Sequence, residues 1–182
     1  MNIYIALFRG INVGGKNSLP MKELVGILEE LGCQNVKTYI QSGNAVFESR
    51  VKDSGRFSKL ISTAIKQRRG FDPHVLLLKL EELERAITQN PFPEAAATPQ
   101  TLHVGFLVAS PPNPNLKILE NLKRNTEQFQ LIDNLFYLHA PEGVGRSKLA
   151  AKAEKLLGLP MTDRNWNTVC KVWEMAKGLD RV

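Results

Sequence analysis

The residues best suited to chemistry stand in glycine-containing runs between apolar segments. The first is Arg9-Gly10-Ile11-Asn12-Val13-Gly14-Gly15-Lys16-Asn17-Ser18. Gly10, Gly14 and Gly15 let the backbone turn sharply and bring N–H groups close to a ligand, while Arg9 and Lys16 add positive charge. That combination suits a phosphate or another anion. The second run, Gln41-Ser42-Gly43-Asn44, offers amide and hydroxyl groups at a tight turn. The third, Gly145-Arg146-Ser147-Lys148, opens a helix, where backbone N–H groups and the helix dipole favour an anion; Ser147 equally suits a plain N-cap. The fourth, Thr162-Asp163-Arg164-Asn165-Trp166-Asn167-Thr168, combines capping residues and amides with Arg164.

Catalytic groupings are sparse. His74, His103 and His139 lie in or near predicted strands, each isolated in sequence, so structural roles are expected. Ser42 and Ser147 have no base close by in the chain. The only cysteines, Cys33 and Cys170, give neither a disulfide framework nor metal-ligand spacing. Residues 10–17 come within one residue of the nucleotide-binding pattern G-x-x-x-x-G-K-[ST], but Asn17 lacks the hydroxyl that holds Mg²⁺ and Pro20 delays the following helix. An RNA-recognition sheet would use aromatic residues on two central strands. Ile3-Tyr4-Ile5 suits one of them, whereas the other retains only Gly43, Ala45 and a shifted Phe47, so Tyr4 and Phe8 are expected to pack.

The elements that position these residues follow from apolar periodicity. Ile3 to Phe8 is apolar on both faces, as a central strand requires. Met21, Leu24, Val25, Leu28 and Leu31 mark a helix between Pro20 and Gly32. Asn35–Ile40 and Ala45–Ser49 predict a hairpin, Phe57 to Ile65 a second helix closed by Arg68, Arg69 and Gly70, and Val75–Lys79 a fourth strand. The order is β-α-β-β-α-β. After a short helix at 81–89 and a breaker-rich segment through Pro99, a second unit repeats β-α-β-β-α. Its parts are a strand at 102–108, a helix through Arg124, a hairpin of 128–132 and 135–139, and a helix at 147–157. A last helix at 165–177 carries Trp166, Val169, Cys170, Trp173 and Ala176 on one stripe. Lys148, Lys152 and Lys155 share one helical face, a basic stripe that fits a phosphate backbone or simply solvent.

Composition bounds the partner. The chain has 182 residues, 43% of them hydrophobic, and a net charge of +6, which favours anionic partners such as nucleic acid or phosphorylated metabolites. No apolar stretch approaches the roughly 18 residues that span a bilayer, and Arg9 ends an N-terminal run too short for a signal sequence. The expected location is the cytoplasm, with no membrane partner.

Taken together, Tyr4 to Asn17, Thr38 to Asn44, Gly145 to Leu149 and Thr162 to Thr168 resemble the bacterial domain-of-unknown-function family 1697, in order and across nearly the whole chain. The resemblance implies two ferredoxin-like α+β halves and supplies no reaction, cofactor or catalytic residue. Arg9, Asn12, Lys16, Gln41, Asn44, Arg146 and Arg164 match its motifs. Asp163 departs from it, standing where the family more usually has a second threonine or another small residue; an acid there would weaken an anion site beside Arg164.

The expected fold is therefore α+β, with two ferredoxin-like (βαββαβ-type) halves at 1–80 and 101–182, joined by a helix and Pro-rich connection at 81–100, and an extra C-terminal helix. The expected ligand is a phosphate-bearing small molecule or a nucleic acid. Its candidate site comprises Arg9, Asn12, Gly14, Gly15, Lys16, Asn17, Gln41, Ser42, Gly43, Asn44, Arg146, Ser147, Lys148, Arg164 and Asn165, and includes no metal. A small-molecule enzyme acting on a phosphorylated substrate and an interaction or oligomerisation protein are the alternatives. Such a site requires the first loop and the hairpin turn to meet at one end of a sheet.

Overall fold

Strand β1 (Asn2–Arg9), apolar on both faces, takes the interior position those faces demand. It pairs antiparallel with β3 (Asn44–Ser49) on one side and β4 (His74–Lys79) on the other, and β2 (Gln34–Tyr39) adds outside β3, giving the order β2-β3-β1-β4. These elements belong to a computed structural model that describes residues 1–180.

One face of this sheet carries Tyr4, Ala6, Phe8, Ala45, Phe47, Val75 and Leu77. It is covered by helices α1 (Met21–Glu30), through Leu24, Ile27 and Leu28, and α2 (Ser54–Arg69), through Phe57, Ile61 and Ile65. Each fully buried aromatic or aliphatic side chain of this kind contributes about 1.5–3 kcal/mol. Tyr4 and Phe47 lie opposite one another in register with ring centroids 6.0 Å apart, and Phe57 meets Phe47 edge-on at 6.2 Å. The Tyr4 hydroxyl donates to the Val51 carbonyl at 2.8 Å. Both strand aromatics are thus core groups with no face left for a base.

Local signals set the helix ends. Asp53 caps α2 by accepting from the Arg56 amide at 2.9 Å, and Gly70 ends it in the left-handed conformation at φ +79°, which a side chain would resist. Lys66, Arg68 and Arg69 sit in the last turn, where the dipole favours cations.

The second sheet repeats the pattern. Strands β5 (Leu102–Leu107), β6 (Gln128–Ile132), β7 (Leu135–His139) and β8 (Met161–Asn165) pair antiparallel in the order β6-β7-β5-β8. Helices α4 (Leu116–Leu122) and α5 (Lys148–Leu157) bury Leu119, Leu149, Ala153 and Leu157 with Leu107, Phe136 and Leu138 of the sheet. Helix α3 (Leu80–Thr88) follows β4, and α6 (Trp166–Asp180) follows β8. The described residues thus form a mixed α+β fold with two four-stranded antiparallel sheets and six α-helices.

Two readings of the sequence change. Residues 161–165, to which the sequence assigns no strand, form the edge strand β8: their backbone pairs with β5, and an edge strand needs no apolar alternation to do so. The helix expected to run through Arg124 is confined to Leu116–Leu122, capped by Asn115, whose Oδ1 accepts from the Ile118 amide at 3.3 Å. The chain also divides into Met1–Glu84 with residues from Lys171 onward, and Arg85–Cys170. It therefore returns to its first unit after finishing the second. Glu84 marks the return: Trp173 Nε1 donates to it at 3.4 Å and Lys177 Nζ lies 3.3 Å away. No helix among the described residues is long and apolar enough to cross a membrane.

Candidate functional site

Because β1 and β3 are antiparallel neighbours, the end of one meets the start of the other: Leu7 pairs with Asn44. The β1–α1 loop at residues 10–20 and the β2–β3 turn at residues 40–43 consequently converge. Asn12 joins them. Its side-chain amide donates to Leu19 O and Gln41 O, both at 2.8 Å, and its Oδ1 accepts from the Leu19 amide at 2.7 Å. One short polar side chain holds both ends of the loop and the neighbouring turn.

The loop itself is a miniature hairpin. The Asn12 amide donates to Asn17 O and the Lys16 amide to Val13 O, each at 3.0 Å, and Asn17 Nδ2 donates to Gly10 O at 2.8 Å. Gly14 (φ +57°) and Gly15 (φ +73°) occupy the tip, where a primed hairpin turn requires successive left-handed residues. Among the described residues the amides of Gly14 and Gly15 donate to no backbone acceptor, and the Lys16 side chain is exposed beside them. A phosphate-loop geometry is absent. The loop folds on itself, and α1 begins only at Met21, behind Pro20, with no side-chain cap.

In the facing turn, Gly43 lies at φ +87°, and a Cβ there would sit 2.5 Å from Ile11 Cδ1 and 2.7 Å from Phe8 Cβ, so only glycine lets the turn close on the loop. Asn44 is fully buried and donates to Tyr39 O at 3.0 Å. Gln41 and Ser42 are exposed. Ile40 stands out: a β-branched residue at φ +49° with 49% of its surface exposed. Such residues strongly disfavour this conformation, and strain of this type persists only where surrounding structure imposes it. Arg69 adds a further tie by donating through Nε to Ser18 O at 2.9 Å.

The second unit places its candidates at the other end of its sheet, where β5 begins and β7 and β8 finish: Leu102 pairs with His139, and His103 with Asn165. Arg124 steadies the approach to α5 by bonding Glu142 Oε2 at 3.0 Å and the carbonyl of Arg146. Ser147 is buried and accepts from the Ala150 amide at 3.0 Å, the N-cap geometry; Arg146 and Lys148 are exposed. Asn165 likewise caps α6, accepting from the Thr168 amide at 3.0 Å. Arg164 is half-buried, and removal from water pulls its guanidinium down to about 10 against the opposing pull of Asp163; its Nη1 donates to the Asp163 carbonyl at 2.8 Å. Asp163 points to the helix-covered side, where its carboxylate lies 2.7 Å from His103 Nδ1.

Of the residues singled out from sequence, then, Arg9, Asn12, Gly14, Gly15, Lys16, Asn17, Gln41, Ser42, Gly43 and Asn44 gather at one end of the first unit. Among them Asn12, Asn17 and Asn44 have side chains engaged with the backbone, while Lys16, Gln41 and Ser42 face water. Sequence reasoning missed Arg69, Arg124 and the His103–Asp163 pair, whose members are 60 positions apart on adjacent strands. No group of three or more metal-ligating side chains occurs among the described residues.

A family model described as a protein of unknown function, DUF1697, matches residues 1–137. The fold is similar to that of a conserved bacterial protein from Streptococcus pneumoniae, with 26% sequence identity, a TM-score of 0.71, and coverage of 96% of this chain and 98% of that one. A comparison with curated proteins finds no match.

Proposed function

The chain belongs to the DUF1697 family, whose description names no reaction, and we propose that it is a binding module for a phosphate-bearing anionic ligand, either a small phosphate or a nucleic acid. The observation that carries this reading is the bridge from Asn12 to Leu19 and Gln41. It fixes two loops side by side, so that the Gly14 and Gly15 amides, the Lys16 ammonium and the Gln41 and Ser42 side chains share one exposed end. Preorganised amides beside a cation form an anion cradle, and a net charge of +6 favours encounter.

Two coarser readings accompany it. We read each antiparallel sheet, with its two covering helices, as a ferredoxin-like half; the strand orders β2-β3-β1-β4 and β6-β7-β5-β8 support this. We read the protein as cytoplasmic, in keeping with two cysteines outside any disulfide.

The test is thermal unfolding with inorganic phosphate, nucleotides and short RNA and DNA oligonucleotides, at low and moderate salt. A native-state ligand raises the melting temperature. An oligonucleotide response that vanishes with salt identifies nucleic acid, whereas a salt-tolerant response to one phosphate identifies a small ligand. Lys16→Glu should remove either response. No response to any anion would make the loop a structural turn.

A second reading, an interaction surface, is favoured by Val13 and Ile40, which expose 64% and 49% of their surface on the same two loops. Concentration-dependent mass in sedimentation, abolished by Val13→Ser with Ile40→Ser, would select it.

A further inference from the structure

A cavity of about 280 Å³ lies in the second unit between the start of α5 and the sheet. Phe136, Leu138, Val144, Ala150 and Met161 give it apolar walls, and Ser147 adds a hydroxyl already engaged as a helix cap. Asp163 is the one charged residue among those lining it. Its side chain is 47% exposed and His103 is only 11% exposed, so the carboxylate stands at the cavity while the imidazole lies behind it. A carboxylate can only accept, so the bonded Nδ1 carries the proton. The other carboxylate oxygen, Oδ1, has no hydrogen-bond partner among the described residues.

The strand geometry makes room for this arrangement. Gly105 pairs with Asp163, and a Cβ on Gly105 would come 2.3 Å from Met161 Sδ, so the thioether occupies the place of a side chain there and forms part of the wall. An apolar chamber with one oriented carboxylate has a definite preference. The walls gain from covering a hydrocarbon body, and a carboxylate oxygen with no protein donor gains most from a charged one.

We infer that this cavity binds a small molecule with an apolar body and a cationic amino head, anchored on Asp163. The site is separate from the loops of the first unit and calls for the opposite ligand charge, so neither reading depends on the other.

Three probes of one shape and different heads test it on the unaltered protein: benzylamine, benzyl alcohol and benzoate, at millimolar concentration, followed through the backbone amide spectrum. Benzylamine should shift amides of β7, the start of α5 and β8. Benzyl alcohol should bind about tenfold more weakly, the usual difference between a charged and a neutral hydrogen bond, and benzoate should leave the spectrum unchanged. Asp163→Asn keeps an acceptor for His103 and should erase the preference for the amine. Ala151→Phe, at an exposed lining residue, should block both benzylamine and benzyl alcohol while the spectrum stays dispersed. Equal shifts from benzoate, an undiminished amine preference in Asp163→Asn, or no shift from any probe would overturn the inference.

Discussion

At the end of β1 the Phe8 amide donates to Gly43 O at 2.9 Å; at the end of β5 the Leu107 amide donates to Asn134 O at the same distance. Two sheets of one strand order therefore close their hairpins onto the central strand with the same bond, but they build the closure differently. In the second unit the turn is just Asp133-Asn134. Asn134 finishes the closure with its own side chain, donating to Leu107 O at 3.1 Å and accepting from Arg85 at 3.0 Å. In the first unit the turn runs over residues 40–43, carries a strained isoleucine, and meets a long loop pinned by Asn12. The β5–α4 connection, residues 108–115, is shorter than the 10–20 loop. The second sheet shows that this closure needs no such elaboration, and surplus ordered loop on a rigid sheet is where binding residues usually sit.

The sharpest way to break this comparison is to give Gly43 a side chain. Gly43→Ala combines a left-handed backbone with a collision against Ile11 and Phe8 and should cost about 3 kcal/mol or more. Asn134→Ala, which removes hydrogen bonds but creates no clash, should cost about 1–2 kcal/mol. Denaturant unfolding of the two variants decides; equal losses would mean the two closures are equivalent.

Next in size is Asn12. Asn12→Ala removes a hub of three bonds and should destabilise by about 2 kcal/mol. Asn12→Asp should do no better, since a carboxylate cannot donate to Leu19 O and Gln41 O. A fully stable Asn12→Asp protein would show that those carbonyls do not need the amide.

A pH experiment separates the cysteines. Burial in the first core pushes the Cys33 thiol up to about 12, against 9.0 in the unfolded chain. A raised folded value gives stability that is complete below pH 9 and lost as pH climbs from 9 toward 12. Unfolding midpoints of Cys33→Ala should therefore fall less steeply over that window than those of the parent protein. In the second unit Cys170 is only half-buried, and iodoacetamide should modify it in the native protein well before Cys33.

The smallest stability effect is expected at Lys16. Its exposed side chain predicts that Lys16→Glu changes unfolding free energy by no more than about 0.5 kcal/mol, so any loss of anion response in that variant reports on binding.

Much of the scaffold was legible. Strands β6 and β7 were read to the residue because apolar runs flank an Asp-Asn turn, and Gly70 marked the end of α2 because few other residues tolerate that backbone. Strand β8 was not, because Thr162-Asp163-Arg164-Asn165 lacks the alternation that betrays a strand; only the neighbouring β5 backbone defines it. For the candidate site, local sequence carries residue type and not orientation. Asn12, Asn44, Ser147 and Asn165 were recognised as polar groups at turns and helix starts, yet the same side chains serve a ligand or the nearby backbone, and here they bond backbone groups. The meeting of the first loop with the hairpin turn depends on β1 and β3 being neighbours, and the His103–Asp163 pair on β5 and β8, facts of pairing that local sequence does not carry.

The clasp of Glu84 on Trp173 and Lys177 bears on the order in which the protein is made. Domains ordinarily fold as they leave the ribosome, first part first. Here the residues that complete the first unit are translated after the whole of the second, so the earliest-made sheet waits through the synthesis of Arg85–Cys170 for its closing helix segment. A nascent chain halted near residue 100 would hold every strand of the first sheet and still lack a part of its unit.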